Sequence, residues 1–101
     1  MKQLMVASYY GGPEDHKFHG KKMANGEDFN ENDPTLAAHK SLPFGTEVKL
    51  TNPENGQTQK VIIKDYGPHV KGRDIDVSYA AAQKLGFIRE GEVTLEAEII
   101  R

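Results

Sequence analysis

The chain contains no cysteine, no tryptophan and no long apolar run, and each absence removes a class of protein. Without cysteine there is no disulfide framework, no thiolate zinc site and no cysteine nucleophile. No stretch approaches the roughly 20 apolar residues of a transmembrane helix. The apolar run Leu4-Met5-Val6-Ala7 near the start is shorter than the apolar core of a secretory signal. We therefore expect neither a membrane-spanning segment nor an export signal in this chain.

An excess of basic charge is also missing. Lysine and arginine number 13 against 15 acidic residues, which gives a net charge of -2 over 101 residues. Nucleic-acid partners require a basic surface, so we expect none here. The length suits one hydrophobic core, so we predict a single domain over residues 1–101. No dinucleotide or phosphate-binding glycine motif occurs, and we predict no cofactor.

What the sequence does contain is a series of short apolar segments between turns. Their alternation predicts strands over residues 4–10, 46–52, 57–64, 74–77 and 92–100. The dipeptide Asn55-Gly56 predicts the hairpin turn between the second and third of these strands. The segment Leu36–His39 fits either a further strand or a helical turn.

One short helix is expected as well. Ser78 can cap a helix over residues 79–85, which Gly86 then ends. Residues 11–34 show no periodicity, and irregular segments of that length in small domains are usually functional or mobile.

A weak internal echo links two parts of the chain. Residues 37–50 and 81–95 both read Ala-Ala-x-Lys, then Leu-x-Phe, then Gly, and then Glu-Val-x-Leu. Two copies cannot form a solenoid, but they suit two interlocked halves of a closed barrel, whose closure removes exposed strand edges. The alternative is that Gly-Glu-Val-x-Leu begins an ordinary strand twice. The copies differ at His39 and Gln83, which indicates that the shared scaffold does not require His39.

The segment Lys64-Asp65-Tyr66-Gly67-Pro68 is the first candidate for chemistry. It follows the apolar run of residues 61–63, so Asp65 is expected to lie where a buried strand ends and a turn begins. A general acid must be both positioned and reachable, and this placement provides both. The alternative is an aspartate that only begins a turn. Glu27, in the irregular segment, can supply the second carboxylate of a glycan-cleaving pair.

The histidines are a second group of candidates. His16 and His19 lie beside Asp15 with residue types that bind metals. Neighbouring Gly and Pro residues oppose the helical turn that would bring them together, so we predict no metal site. His39 fits either a histidine at the edge of the core or a member of a functional site.

These segments taken together resemble the rare lipoprotein A-like double-psi β-barrel family. The resemblance runs in order through residues 7–11, 19–27 and 36–46, then Asp65 with Gly67-Pro68, and then residues 75–78. It covers nearly the whole chain. It implies a mainly β fold, namely a six-stranded double-psi barrel with pseudo-two-fold symmetry and one or two short helices. The internal echo favours the same architecture independently.

The resemblance also implies a function. Characterised members of the family are lytic transglycosylases of peptidoglycan in the bacterial periplasm or cell envelope. They cleave between N-acetylmuramic acid and N-acetylglucosamine, and the C6 hydroxyl of the muramic acid attacks to form a 1,6-anhydro product. By resemblance, Asp65 is the principal acid and base, and Glu27 and His39 complete the catalytic site. Substrate binding is assigned to Tyr10, Lys40, Tyr66 and Gly67. We expect a monomer that acts on peptidoglycan glycan strands.

The chain departs from the family beside its principal acid. The usual family pattern is Asn-Asp-Arg-Gly-Pro, whereas Lys64 and Tyr66 flank Asp65 here. The missing arginine removes a cation that could hold a carboxylate of the substrate. Two alternatives therefore stand beside the enzyme. One is a catalytically silent barrel that binds cell-wall glycan or a cell-division partner, and the other is a cytoplasmic barrel of unrelated role.

Overall fold

The computed structural model describes residues 2–100 and is built mainly from strands. The strands are β1 (Lys2–Tyr10), β2 (Leu36–His39), β3 (Glu47–Thr51), β4 (Thr58–Asp65), β5 (Ile75–Ser78) and β6 (Glu92–Ile99). One α-helix, α1 (Tyr79–Leu85), and one 3-10 turn (His16–Phe18) complete the fold. The predicted strands are confirmed, and the ambiguous segment at residues 36–39 is a strand. Met1 and Arg101, the ends of the predicted 1–101 domain, lie outside the described residues.

The six strands close into a barrel in the order β1-β5-β2-β4-β3-β6. The pairs β1/β5 and β2/β4 are parallel, and the remaining neighbours are antiparallel. Exchanging β1 with β4, β2 with β5 and β3 with β6 gives the same order of strands around the barrel and the same parallel and antiparallel pairs. The two halves of the chain are therefore related by a pseudo-two-fold axis, which confirms the predicted architecture.

The internal echo reports this symmetry only in part. Residues 47–50 and 92–95 lie on β3 and β6, which the pseudo-two-fold axis exchanges. Residues 37–39 lie on β2, however, whereas residues 81–83 lie on helix α1. The symmetry partner of β2 is β5. Comparing His39 with Gln83 therefore does not test whether the scaffold requires His39, because these two residues do not occupy equivalent positions.

The barrel interior is filled by alternate residues of the strands. The fully buried set includes Val48, Leu50, Val61, Ile63, Leu95 and Ala97. Helix α1 covers one side of this core with Ala81, Ala82 and Leu85. On β6, Leu95 and Ala97 point into this core, whereas Ile99 at the strand end is exposed.

Helix α1 begins and ends where the sequence predicts. The hydroxyl of Ser78 accepts the N–H of Ala81 at 3.1 Å, and Gly86 takes the left-handed conformation after the last turn. The side-chain amides of Asn52 and Asn55 both donate to the carbonyl of Leu85. The hairpin turn between β3 and β4 therefore satisfies the end of the helix. No helix within residues 2–100 has the length and apolar character needed to span a membrane.

The irregular segment after β1 is held against the barrel by Glu31, which is buried. Its carboxylate accepts the N–H of Gly12 at 3.0 Å and contacts Nδ1 of His16 at 2.9 Å. Gly12 has φ of 92°, and a Cβ there would lie 2.3 Å from the ring of Tyr79, so only glycine fits. His16 stacks on His19. Within residues 2–100, no three acidic, histidine or cysteine side chains are arranged to hold a metal ion.

The pKa of Glu31 gives a test of this anchoring role. The hydrogen bond from Gly12, followed by the contact with His16, lowers this pKa below its ordinary value of 4.5, although burial opposes the shift. A lowered pKa stabilises the fold above the unfolded-state value, and this stabilisation is lost as pH falls through the folded-state value. Glu31→Gln should therefore lower Tm at pH 7, and the difference from wild type should shrink in acid.

Thermal unfolding followed by circular dichroism from pH 7 to pH 3 measures this effect. Glu90→Gln removes an exposed carboxylate and serves as the matched control. A loss of Tm that is equal in the two variants, or that does not depend on pH, would contradict the anchoring role of Glu31.

Candidate active site

A one-residue bulge in β4 orients Asp65. Ala37 pairs with Ile63, but Ala38 pairs with Asp65, so Lys64 is an extra residue in β4. Side chains alternate between the two faces of a strand, and Ile63 points into the core, so a regular strand would point Asp65 inward as well. The extra residue instead places Asp65 on the face of Ala38. Both residues line an open groove of about 490 Å³.

Four neighbouring strands contribute one residue each to a row across this groove. Ser8 of β1 pairs with Asp76 of β5, Asp76 pairs with Ala38 of β2, and Ala38 pairs with Asp65 of β4. All four residues line the groove, and we call them the groove floor. Asp76 and Asp65 stand one strand away from Ala38 on either side, so their Cα atoms are about 10 Å apart. Only the methyl group of Ala38 lies between these positions in the row.

Asp65 is fixed by backbone donors. Its Oδ1 accepts the N–H of Ala24 at 2.9 Å and that of Tyr66 at 2.9 Å. Ala24 belongs to the irregular segment, whose turn at residues 23–27 packs against the end of β4. The carboxylate is therefore held in one orientation by two parts of the chain that are distant in sequence.

Asp76 is a second carboxyl in the same groove, and the sequence reasoning missed it as a site residue. The hydroxyl of Ser8 donates to its Oδ1 at 2.7 Å. Burial raises the pKa of Asp76, while the Ser8 hydrogen bond and the charge of Arg73 oppose this rise. The sequence signal was an acidic residue between two apolar residues of a short strand. It becomes informative only once the strand register is known.

Tyr10 places a phenol beside both acids. Its ring stacks on Phe29 with centroids 4.2 Å apart, and among the described residues its buried hydroxyl has no hydrogen-bond partner. Burial, together with the charges of Asp65 and Asp76, raises the pKa of Tyr10. The hydroxyl therefore stays protonated. Buried polar groups normally have partners, so this one is available to donate to a ligand in the groove.

Tyr66 and Gly67, both predicted to bind substrate, also line the groove. The Tyr66 ring is exposed and packs on Phe44 with centroids 4.6 Å apart. Gly67 has φ of 138°, a conformation that favours glycine, and its N–H donates to the carbonyl of His39 at 3.4 Å. Of the seven predicted site residues, the structure therefore brings Asp65, Tyr10, Tyr66 and Gly67 to one groove.

The other three predicted residues, Glu27, His39 and Lys40, do not line the groove. Glu27 is paired with the ammonium of Lys64, the bulge residue, at 2.9 Å. Nδ1 of His39 accepts the backbone N–H groups of residues 41 and 42, which leaves the proton on Nε2. Burial is the main cause that lowers the pKa of His39. Glu27 and His39 therefore brace segments next to the groove.

The groove also carries basic side chains that sequence reasoning did not single out. Lys21, Lys22 and Arg73 line it, and Arg73 pairs with Glu92 at 2.9 Å. Such cations can contact carboxylates of a ligand. They place positive charge at the groove although the arginine usual beside the acid is replaced by Tyr66.

The raised pKa of Asp76 gives a second testable prediction. Its ordinary value is 3.8, and the folded-state value lies above this. Folding stability is therefore lost as pH rises from 3.8 through the folded-state value, because ionising the partly buried carboxyl is unfavourable. Asp76→Asn removes this charge and retains an acceptor for Ser8. Its Tm at pH 7 should equal or exceed that of wild type, and the difference should narrow in acid.

Thermal unfolding between pH 3 and pH 8 checks this expectation. Glu90→Gln, at an exposed residue outside the groove, is the control. An Asp76→Asn protein that is clearly less stable than wild type at pH 7 would show that the ionised carboxylate supports the fold.

A family model and the sequences of known proteins both point to the same family for this chain. The model of the lytic transglycolase family matches residues 3–97 of the chain. A protein of Aquifex aeolicus (strain VF5), named probable endolytic peptidoglycan transglycosylase RlpA, is 50% identical over 95 residues, which are 94% of this chain and 40% of that protein. The endolytic peptidoglycan transglycosylase RlpA of Neisseria meningitidis serogroup A is 47% identical over 93% of this chain and 37% of its own length. The chain therefore spans well under half the length of these relatives.

Solved structures resemble the fold. Streptomyces papain inhibitor superposes with a TM-score of 0.75 at 24% identity, over 100% of this chain and 96% of its own. An expansin of Clavibacter michiganensis in complex with cellohexaose gives 0.75 at 17% identity, over 100% of this chain and 51% of its own. At these identities the likeness concerns the fold alone.

Proposed function

The chain belongs to the lytic transglycolase family of double-psi β-barrels, as its resemblance predicted, and from this premise we propose that it cleaves peptidoglycan glycan strands in the bacterial envelope. The observation that carries the proposal is the bulge that directs Asp65 to an open groove. The names of the curated relatives support peptidoglycan as the substrate class. Because the chain spans only part of their length, the proposal concerns this domain.

The proposed reaction breaks the β-1,4 bond between N-acetylmuramic acid and N-acetylglucosamine. Asp65 gives a proton to the glycosidic oxygen as the bond to C1 breaks and positive charge develops on the sugar. The C6 hydroxyl of the same muramic acid then attacks C1 and returns its proton to Asp65. The products are a 1,6-anhydro-muramic end and a free hydroxyl on the leaving sugar. No water is consumed, and attack from within the same sugar benefits from a high effective molarity.

The remaining groove residues suit the binding of a sugar chain. The exposed ring of Tyr66, backed by Phe44, offers a flat apolar face on which a sugar ring can pack. Tyr10 offers a phenol donor beside the acids. Lys21 and Lys22 offer cations for the carboxylate-bearing substituent of muramic acid.

Three predicted residues are proposed to act from outside the groove. Glu27 positions the end of β4 through its ion pair with Lys64. His39 positions the turn that follows β2 and accepts the N–H of Gly67. Lys40, exposed on that turn, is proposed to contact the substrate where it leaves the groove.

A catalytically silent barrel is the second candidate function. The ion pair between Glu27 and Lys64 favours this function. A mechanism with two acids would need the Glu27 carboxylate, which is already bound to the Lys64 ammonium. Such a barrel would bind cell-wall glycan or a cell-division partner in the same groove without cleaving it.

Digestion of purified glycan strands tests the proposal. We expect the wild-type chain to release anhydro-ended sugars, identified by mass spectrometry. Asp65→Asn should lower kcat by about 10²- to 10⁴-fold, because the proton donor and acceptor is lost. Its Tm should stay close to that of wild type, and Glu90→Gln, at an exposed residue outside the groove, should retain full activity. Binding of glycan by the wild type without anhydro product across the pH range would contradict the enzyme and support the silent barrel.

A further inference from the structure

A second cavity opens beside the groove, and the reaction described above does not use it. It has a volume of about 300 Å³, and we call it the Tyr79 cavity after the aromatic ring that lines it. We propose that this cavity is a further sugar subsite, which binds an uncharged sugar of the same glycan strand away from the cleaved linkage. This inference rests on the proposed function and extends it to a sugar that takes no part in bond cleavage.

The Tyr79 cavity is continuous with the groove. Four residues line both of them, namely Ser8, Tyr9, Asp15 and Arg73. The row of the groove floor also continues in register beyond Ser8, which pairs with Glu92 of β6. Arg73 extends from the start of β5 to this end of the row, where it contacts Glu92 at 2.9 Å. A linear sugar chain that lies along the groove floor can therefore continue into the Tyr79 cavity.

Three segments that are distant in sequence build the walls of the cavity. The ring of Tyr79, the first residue of α1, packs against Tyr9 with centroids 5.9 Å apart. It also lies so close to Gly12, in the irregular segment, that a Cβ there would clash with it. The hydroxyl of Tyr9 donates to the carbonyl of Ile88 at 3.1 Å and so holds the turn before β6. The cavity is therefore preformed, as ligand sites usually are.

The lining combines apolar rings with carboxylates. Tyr9, Tyr79 and Ile88 offer apolar surface on which the CH face of a sugar ring can pack. Glu14 is exposed at the edge of the cavity, and Asp15 is half-buried. Carboxylates accept strong hydrogen bonds from hydroxyl groups, which a sugar carries on several carbons. Both kinds of contact that a sugar needs are therefore present.

Two carboxylates act on the same part of the cavity. Burial is the main cause that raises the pKa of Tyr9, followed by the nearby phenol of Tyr79 and the charges of Glu14 and Asp15. Both carboxylates therefore lie within electrostatic reach of the Tyr9 phenol, at the boundary between the cavity and the groove.

The sign of the charge differs between the two compartments. Arg73 is the cation that lines the Tyr79 cavity, and it is already paired with Glu92. The groove, in contrast, also carries Lys21 and Lys22. Like charges placed together oppose binding, so the carboxylate of a muramic acid is unfavourable in the Tyr79 cavity. N-acetylglucosamine, which alternates with muramic acid along the strand, has no charge and fits this site.

The first test is the binding of glycan fragments of four, six and eight sugars to Asp65→Asn, followed by the backbone amide signals in NMR spectra. This variant lacks the proposed acid, so binding is measured without cleavage. We expect the signals of Tyr66 and Gly67 in the groove to move with every fragment. The signals of Tyr79 and Gly91 should move as well once a fragment is long enough to enter the cavity. Signals that move only in the groove at every length would overturn the inference.

Glu14→Ala removes one proposed hydrogen-bond acceptor from an exposed position. We expect KM for the long fragments to rise about 2- to 10-fold, because one hydrogen bond to the bound sugar is lost. The value of kcat, and KM for fragments too short to enter the cavity, should stay at the wild-type level. Glu54→Ala, at an exposed residue that lines neither cavity, is the matched control. An unchanged KM for long fragments, or a KM that rises equally at all lengths, would contradict the subsite.

The charge of the occupant is tested by Glu14→Lys at about 0.5 M salt, where long-range attraction is screened. An uncharged sugar should bind to this variant as weakly as to Glu14→Ala. Stronger binding than wild type would show that a carboxylate-bearing sugar occupies the cavity. A Glu14→Ala effect that disappears at this salt concentration would instead show a cationic occupant, and either result would overturn the inference.

The outcomes separate this inference from the function on which it rests. Fragments that bind in the groove and are cleaved by the wild type, without any change at Tyr79 or Gly91, would overturn the subsite and leave the proposed function standing. Fragments that do not bind in the groove, together with the absence of anhydro product from the wild type, would overturn both. Movement of both sets of signals, with a length-dependent KM in Glu14→Ala, is the result that the geometry predicts.

Discussion

The bulge at Lys64 is the constraint on which the rest of the site depends. At this point β4 has one residue more than its neighbour β2. The side chain of Asp65 therefore points to the groove face of the strand and not to the core face. The core is complete without it, because Ile63 and the alternate residues before it already fill the barrel. The parallel pairing of β2 with β4 then aligns Asp65 with Ala38, whose small side chain keeps the groove open. The same register brings Asp76 to the other side of Ala38.

Most of the fold could be predicted from local signals. Alternation identifies β3, β4 and β6, and Ser78 and Gly86 mark the ends of the helix, because each of these signals acts within a few residues. The echo misleads at Ala-Ala-x-Lys because small apolar residues suit a buried strand and a buried helix face equally. The path of residues 11–35 could not be predicted, since it depends on contacts between Glu31 and Gly12, which lie 19 residues apart.

The site could be predicted where its residues are neighbours in sequence. Asp65 stands at the end of an apolar strand, and Tyr66 and Gly67 follow it into the groove. Asp76 could not be recognised, because its place opposite Asp65 depends on strand register and on a bulge that the sequence does not mark. Glu27 entered the predicted site mainly through family resemblance, and it lies beside the groove, paired with Lys64. Lys64, a residue that differs from the usual family pattern, therefore serves both the bulge and this ion pair.

The central claim is that the groove floor holds the scissile bond within reach of Asp65. A crystal structure of Asp65→Asn with a bound glycan fragment that spans the cleaved linkage tests it most directly. The account predicts the glycosidic oxygen above Ala38, at about 3 Å from the side chain at position 65. A fragment bound on another face of the barrel, or with its linkage remote from Ala38, would contradict it.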